Sequence, residues 1–374
     1  MPYRGEEIVK DFIDKLNARA RHVVFFLGAG ASCAGNLPSS AALKTQIAAA
    51  LPQGSRALFN TLGTGRNLEE ILTRLRIIHE AVSGTPQAID GLTAQQARDL
   101  DQEICRATAT ILTTTAVDLS HHEKFGRWLG LSQYDRPVEI ATTNYDLLIE
   151  RGLERVGTPY FDGFVGTFHG EFRGDLVDDE TAQKDIRLPS RWVRVWKLHG
   201  SVSWKNEMRE GRSVIVRSGA VHTHDPAGIV AIYPSLQKYE ESRRLPFVAL
   251  ADRLRRTFAI PETLIVVSGY SFGDQHINEL VYDAARYYPR SEVAAMFFDQ
   301  IPQAVVDKAL QLPNLTALGA QEAVVGGTRS PWVAPTEAAE WWQTDRFSLG
   351  DFRVLATLLA RRIGSLPGPP PVGA

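Results

Sequence analysis

The chain has 374 residues, enough for one large domain or two modest ones. Its apolar content of 44% and charged content of 22% are ordinary for a globular protein, and a net charge of −2 argues against direct nucleic-acid binding or an anionic membrane. Only Cys33 and Cys105 are present, too few for a four-cysteine zinc site or a disulfide framework. Because no signal peptide or membrane-spanning apolar run is found either, we expect a cytoplasmic protein.

The predicted elements begin with a helix and a strand. Apolar residues at helical spacing predict a helix from Gly5 to Ala20, and the run from Val23 to Leu27 predicts a buried strand. A mainly helical stretch is expected from about residue 41 to about residue 135, with a break at Gly84-Thr85-Pro86. Residues 157–191 show no clear period, which indicates a partly irregular excursion.

Strands separated by helices are predicted after the helical stretch. The strands are Val138–Thr142, Arg194–Leu198, Ile229–Tyr233, Leu264–Val267 and Val293–Phe298, and a helix from Asp146 to Val156 follows the first of them. This alternation is typical of a parallel sheet covered by helices. We therefore predict an α/β fold, with a Rossmann-like, mostly parallel sheet, helices on both faces and a mainly helical insertion after the first strand.

A small-residue turn, Gly28-Ala29-Gly30-Ala31-Ser32, follows the first strand. Glycine permits positive φ and lets a backbone approach a ligand closely. The helix predicted from Ala41 to Leu51 could direct free N–H groups at an anion. This layout is typical of a diphosphate-binding loop; the alternative is a glycine turn without a ligand.

The match to the common dinucleotide fingerprint is incomplete. Cys33 stands where the fingerprint has its third glycine. No Asp or Glu occurs between Asp14 and Glu69, so the usual carboxylate for the adenosine ribose is missing locally. This stretch suits an anion but argues against an ordinary dehydrogenase.

Three further loops carry polar residues directly after predicted strands. They are Thr142-Thr143-Asn144-Tyr145-Asp146, Lys197-Leu198-His199-Gly200-Ser201 and Ser268-Gly269-Tyr270-Ser271-Phe272-Gly273-Asp274. Ligands of open α/β sheets bind outside the carboxyl ends of the strands, so we expect these loops to converge on the glycine turn. Each also has a structural explanation. Asn144, Asp146, Ser271 and Asp274 are typical helix-cap or turn residues, and His199 could be a core histidine.

The glycine turn and these three loops, in this order, resemble the motif series of the sirtuin superfamily. The resemblance is closest to the sirtuin-like domains of prokaryotic anti-phage defence proteins and covers roughly residues 20–300. The segments Asn67-Leu68-Glu69-Glu70 and Tyr239-Glu240-Glu241-Ser242 are similar to that subgroup as well. Three features depart from the deacylase sirtuins: the zinc-ribbon cysteines are missing, Thr143 replaces the usual Gln, and Gly35-Asn36-Leu37-Pro38-Ser39-Ser40 stands where they have an Arg-containing segment. These departures argue against protein deacylation and leave cleavage of the nicotinamide bond open.

The resemblance implies that NAD+ is the substrate and that no metal is required. Backbone N–H groups would hold the diphosphate at Gly28, Ala29, Gly30 and Ser32. Asn144 would orient the ribose or the attacking water, and Asp146 would hold the nicotinamide amide. His199 would act as a base, because an unperturbed pKa of ~6.5 suits proton transfer near neutrality. Further cofactor-binding candidates are Thr143, Gly269, Ser271, Asp274 and Asp299, and Asp299 could supply the missing ribose carboxylate.

The implied function is NAD+ hydrolysis that releases nicotinamide and ADP-ribose and depletes NAD+ in anti-phage defence. A regulatory module that senses NAD+ or ADP-ribose is the alternative, and a protein deacylase is the third, disfavoured one. By the same analogy we expect a homo-oligomer and a separate activating or sensing partner, such as a HerA-like ATPase or an Argonaute-type protein.

The expected organisation has four parts. These are an N-terminal helix (1–20), a sirtuin-like catalytic domain (21–300), a C-terminal extension (301–365) and a Pro-rich tail (366–374). The extension carries aromatic and apolar residues at roughly helical spacing, namely Trp341, Trp342, Phe347, Phe352, Leu355, Leu358 and Leu359. They pack either on the domain itself or in an oligomer interface.

Overall fold

The computed structural model describes residues 2–166, 168–178, 188–189, 191–219, 230–232 and 246–363. The helices of this part, in chain order, are α1 (Gly5–Asn17), α2 (Ala29–Cys33), α3 (Ser40–Ala50), α4 (Gln53–Leu62), α5 (Leu68–Ala81), α6 (Ala94–Thr114), α7 (Ser120–Leu131), α8 (Leu148–Arg155), α9 (Gly174–Val177), α10 (Phe247–Phe258), α11 (Gln275–Tyr287), α12 (Gln303–Gln311) and α13 (Phe352–Ile363).

The strands of the same part form two larger sheets and one small hairpin. In chain order they are β1 (Tyr3–Arg4), β2 (His22–Leu27), β3 (Glu139–Thr142), β4 (Tyr160–Phe161), β5 (Phe164–Val165), β6 (His169–Phe172), β7 (Val193–Lys197), β8 (Gly200–Arg209), β9 (Arg212–Ser218), β10 (Val230–Ile232), β11 (Thr263–Ser268), β12 (Glu292–Met296), β13 (Leu315–Leu318), β14 (Glu322–Val325), β15 (Thr328–Val333), β16 (Trp342–Gln343) and β17 (Arg346–Phe347).

The largest sheet has ten strands in the order β1-β15-β14-β13-β12-β11-β2-β3-β7-β4. From β13 to β4 all neighbouring strands pair in parallel, and β14 pairs antiparallel with both β13 and β15. The chain runs outward from β2 through β3 to β7, and later returns beside β2 at β11 and runs outward the other way. The strand order therefore reverses at β2, and such a switch point opens a crevice at the carboxyl ends of the strands.

Helices cover both faces of this sheet because β2 is apolar on both sides. Val24 and Phe26 belong to one core, which also contains residues of α10, α11 and α12. Val23 and Phe25 belong to the opposite core, together with residues of α1, α7, α8 and α13. Near-continuous burial of this kind is characteristic of a central parallel strand. The predicted α/β fold is confirmed.

The helical insertion has an apolar core of its own. Helices α3, α4, α5 and α6 pack together around residues such as Ile47, Leu72 and Ile104. Tyr145 and Val202, which lie outside the insertion, complete that core and join it to the main domain. Helix α7 covers the main sheet instead, through residues such as Phe125.

A second sheet was not predicted from the sequence, and β10, which lies within the strand predicted from Ile229 to Tyr233, belongs to it and not to the parallel sheet. It has five strands in the order β10-β8-β9-β6-β5, and its pairs are antiparallel. The turn between β8 and β9 places Glu210 at φ 50° and Gly211 at φ 76°. The excursion expected to be irregular supplies β4, β5, β6 and α9 to the structure. Tyr239–Ser242 and the Pro-rich tail lie outside the described residues.

The C-terminal aromatic residues pack on the domain itself. Trp341, Phe347, Phe352, Leu355, Leu358 and Leu359 are all buried in the core that also holds α7 and β2, and Trp342 packs against the same core while remaining partly accessible. Among the described helices, none combines the length and the apolar character that crossing a bilayer requires.

Candidate active site

The glycine turn connects β2 to α2 and lies against the loop that follows β11. A Cβ on Gly28 would lie 2.5 Å from the carbonyl oxygen of Gly269, and a Cβ on Gly30 would lie 2.5 Å from the Gly269 Cα. Positive φ, which glycine permits, occurs at Gly269, with φ 68°, whereas Gly28 has φ −106°. Glycine is required at 28 and 30 because two backbones approach each other there.

Two of the N–H groups expected to hold a diphosphate are already engaged. The N–H of Gly28 donates to the carbonyl of Ser268 at 3.0 Å, and that of Gly30 donates to the carbonyl of Gly269 at 2.8 Å. These bonds join the turn to the end of β11, so both N–H groups already have a partner, and their contact with a diphosphate stays a prediction. Of the other two expected donors, Ala29 is the first residue of α2 and Ser32 lies within that helix.

The Asn144 carboxamide reaches the glycine turn from the loop after β3. Its Nδ2 donates to the carbonyl of Gly28 at 2.9 Å, and its own N–H donates to Oγ1 of Thr142 at 3.0 Å. Asn144 therefore contacts the turn and does not cap α8. The hydrogen bond fixes the carboxamide at the carboxyl end of β2, where the crevice opens.

Asp146 joins the same turn to the start of α8. Its Oδ2 accepts from the hydroxyl of Ser32 at 2.5 Å, and its Oδ1 accepts from the N–H of Leu148 at 2.9 Å. The buried Lys197 donates to the carbonyl of Asp146 and forms an ion pair with Glu150 at 2.9 Å. Asp146 thus caps a helix and also lies in the crevice. The interpretation as a helix-cap residue and the interpretation as a site residue therefore do not exclude each other.

His199 lies between two carboxylates. Its Nδ1 is 2.8 Å from Oε1 of Glu69, and its Nε2 is 3.3 Å from Oδ2 of Asp274. The first contact is a hydrogen bond, and the second is an ion pair without hydrogen-bond alignment. The histidine side chain is 2% exposed, whereas those of Glu69 and Asp274 are 27% and 15% exposed.

The surroundings of His199 change its acid–base behaviour. Burial disfavours the charged imidazole, but the negative charges of Glu69 and Asp274 outweigh burial and raise the pKa of His199 to about 10. Burial works against ionisation of Asp274 too, yet His199 lowers the pKa of that carboxyl. The expectation of a pKa near 6.5 is therefore wrong, because an isolated histidine was assumed. At neutral pH His199 is an imidazolium in this arrangement.

Glu69, His199 and Asp274 also bring ligand atoms for a cation within 4.8 Å of one another. The two carboxylates face opposite nitrogens of the ring, and a single ion can bind only one of those nitrogens. A proton on each nitrogen satisfies both carboxylates at the same time. The geometry is that of an ion-paired imidazolium.

A cavity of about 710 Å³ opens at the carboxyl ends of β2, β3, β7 and β11, within the range of ~300–1,000 Å³ typical of ligand sites. The predicted site residues that line it are Ala29, Gly30, Ser32, Thr143, Asn144, Asp146, His199, Gly269, Ser271 and Asp274. Gly28 supports the cavity from behind through its bond to Asn144. The structure does not bring Asp299 to the cavity: it is exposed beyond the end of β12.

Sequence reasoning missed the contribution of the helical insertion. The insertion supplies part of the cavity wall, namely Pro38, Ser39, Ser40, Ala41, Leu43, Lys44, Gly65, Arg66, Asn67, Leu68, Glu69 and Leu112. The available signal was the pair Asn67 and Glu70, which form a capping box at the start of α5. That signal locates a helix end and does not show which loop the helix faces.

Fold and site together define an α/β protein with a ligand crevice at the switch point of a parallel sheet. Residues 138–318 match the family model of the SIR2-like domain, which confirms the resemblance to sirtuin-like domains over that segment. The matched segment includes Asn144, His199 and Asp274, and the glycine turn precedes it.

Comparisons with solved structures and with curated proteins add little to this family match. A solved structure described as a Sir2 homolog–NAD complex has 12% sequence identity, with 97% of this chain and 98% of that chain covered and a TM-score of 0.48. No curated protein matches the sequence of the chain.

Proposed function

We propose that the protein is an NAD+ glycohydrolase, which releases nicotinamide and ADP-ribose. The observation that carries the proposal is the meeting of Asn144, Asp146 and His199 in one cavity of a SIR2-like domain. These residues come from separate loops, and each is held in place by a hydrogen bond or ion pair to another cavity element.

The charges of the site suit this reaction. Nicotinamide leaves NAD+ as a neutral molecule, so no acid has to protonate it, and the barrier lies in forming an oxocarbenium-like ribose carbon. Glu69, His199 and Asp274 together carry a net negative charge when the histidine is an imidazolium, and Asp146 lies in the same cavity wall. Lys44 and Arg66 also line the cavity, so its wall carries both signs, and the carboxylates are the groups that would favour the developing positive charge.

Water completes the proposed reaction at the anomeric carbon. The oxygen of water forms a bond to that carbon while the bond to nicotinamide breaks, and nicotinamide leaves with the electron pair. The proton lost by water goes to a carboxylate, and Asp274, which His199 keeps ionised, lies in the cavity wall and can accept it. Asn144 orients the ribose or the water.

The proposed biological role is that of an effector that depletes NAD+ in anti-phage defence. It rests on the resemblance to prokaryotic defence proteins, which is an analogy at the level of the family. By the same analogy we propose a cytoplasmic homo-oligomer that a separate protein, such as a HerA-like ATPase or an Argonaute-type protein, activates or controls.

The test is nicotinamide release from NAD+ by the purified protein without an acylated peptide, alone and with the product of the neighbouring gene. We expect release by the natural chain and a loss of at least ~10²-fold in Asn144→Ala. That variant is expected to fold, because the Asn144 side chain is only partly buried and makes one hydrogen bond to the turn.

Other outcomes of this test would change the proposed role of Asn144 or the proposed function. Full activity in Asn144→Ala would remove Asn144 from the reaction. Binding of NAD+ or ADP-ribose without release, with or without the partner, would favour the sensor, and release that requires an acylated peptide would favour the deacylase.

A further inference from the structure

Glu69 lines the cavity and contacts His199. It lies in the first turn of α5, in the helical insertion, whereas its partners belong to the loops of the main domain. Its Oε1 lies 2.8 Å from Nδ1 of His199 and accepts a hydrogen bond from the hydroxyl of Tyr145 at 3.2 Å. One carboxylate oxygen thus joins the insertion to two of the loops that form the cavity.

The position of Glu69 is well determined by its own helix. Asn67 and Glu70 close a capping box around it, with bonds of 2.8 Å and 2.7 Å. Ile71 and Leu72, the next turn of α5, are fully buried in the insertion core. The first turn therefore has little freedom to rotate, and Glu69 is held toward the cavity.

The charged groups that face His199 come from two elements. Glu69 approaches Nδ1 from α5, and Asp274 approaches Nε2 from the start of α11. Oδ1 of Asp274 is committed to capping α11, since it accepts from the N–H groups of His276 and Ile277. Only Oδ2 of Asp274 is therefore directed at the histidine, and the ring orientation depends on the bond to Glu69.

We propose that Glu69 is a positioning residue for His199: it holds the Nδ1–H group so that Nε2 is directed at Asp274 and the cavity. The inference rests on the proposed hydrolysis of NAD+. It makes that reaction depend on the position of the helical insertion relative to the loops of the main domain. Glu69 acts through the histidine and is not placed in contact with the substrate.

The test compares Glu69→Gln with Glu70→Gln. Both variants remove one negative charge from the same turn, but Glu70 contacts the cap and not His199, and glutamine preserves a capping box. We expect kcat for nicotinamide release to fall roughly tenfold or more in Glu69→Gln, with little change in KM. We expect no change in Glu70→Gln.

The pH profile separates positioning from a general structural defect. Loss of the Glu69 charge should lower the pKa of His199 and shift the alkaline limb of the rate profile to lower pH by ~1–3 units. If Glu69→Gln had the same kcat as the natural chain and the same alkaline limb of the rate profile, the inference would be overturned. The proposed hydrolysis would remain intact.

A second measurement does not depend on turnover. NMR titration of the His199 ring in the natural chain and in Glu69→Gln should show the same downward shift, even if the protein proves not to hydrolyse NAD+. An unchanged His199 titration in a folded Glu69→Gln protein would contradict the proposal directly.

Discussion

His199 makes the stability of the folded chain depend on pH. Its pKa is ~6.5 in an unfolded chain and is raised to about 10 in the folded protein by Glu69 and Asp274, against the effect of burial. A raised pKa means that the folded state binds the proton more tightly. The stabilisation is therefore fully present below pH ~6.5 and is lost as the pH rises through the folded pKa.

We predict that His199→Gln removes this pH dependence. The free energy of unfolding of the natural chain should fall by a few kcal/mol between pH ~6.5 and ~10 in urea titrations, and the fall should be much smaller in the variant. His276→Gln is the matched control, because His276 is exposed and lies outside the carboxylate pair. Parallel curves for the natural chain and His199→Gln would contradict the ion-pair assignment.

For single residues, the sequence indicated which ones lie near the crevice but not their protonation states. Asp146 and Asp274 were ambiguous between capping and function, and in each one oxygen caps a helix while the other faces a second residue of the cavity. Glu69 could not be assigned to His199 because 130 positions separate them in the chain. The pKa of a histidine depends on such distant contacts.

The elements of the parallel sheet were predictable because they are buried on both faces. β2, β11 and β12 read as short, mostly apolar runs, which are hard to mistake for surface segments, whereas β3 and β7 also carry buried charged residues such as Glu139 and Arg194. β8 was missed because Val202 and Trp204, which are buried, alternate with serine residues. Ser201 and Ser203 are buried as well, but an alternation of apolar and polar residues gives a weaker signal than an apolar run.

The close approach of the glycine turn to the β11 loop gives a prediction at the level of elements. Gly30→Ala would place a Cβ 2.5 Å from the Gly269 Cα, so one of the two backbones has to move. We expect a loss of ~1–3 kcal/mol in the free energy of unfolding, measured in urea, together with weaker binding of NAD+.

Gly54→Ala is the matched control for that experiment. Gly54 lies in α4, and a Cβ there meets nothing within 4 Å. Alanine is favoured over glycine within a helix by up to ~1 kcal/mol, so this variant should be as stable as the natural chain or more so. If Gly30→Ala were equally stable, the tight contact between the two loops would have to be wrong.

At the scale of the whole molecule, the C-terminal extension belongs to the main core. Phe352, Leu355, Leu358 and Leu359 of α13 are at most 1% exposed, and they lie in the same core as β2. Burial of each such side chain contributes ~1.5–3 kcal/mol. Together they match the ~5–15 kcal/mol by which a whole domain is stable.

A chain that ends at residue 336 should therefore fail to fold, whatever the oligomeric state of the natural protein. We expect loss of the cooperative thermal transition in circular dichroism and elution as aggregate in size exclusion. A chain that ends at residue 365 is the control, since it keeps α13 and removes only the segment beyond it. If the shorter chain instead gave a folded, cooperative species of lower oligomeric order, the aromatic residues after Glu337 would serve an interface between copies and not the core in which the structure places them.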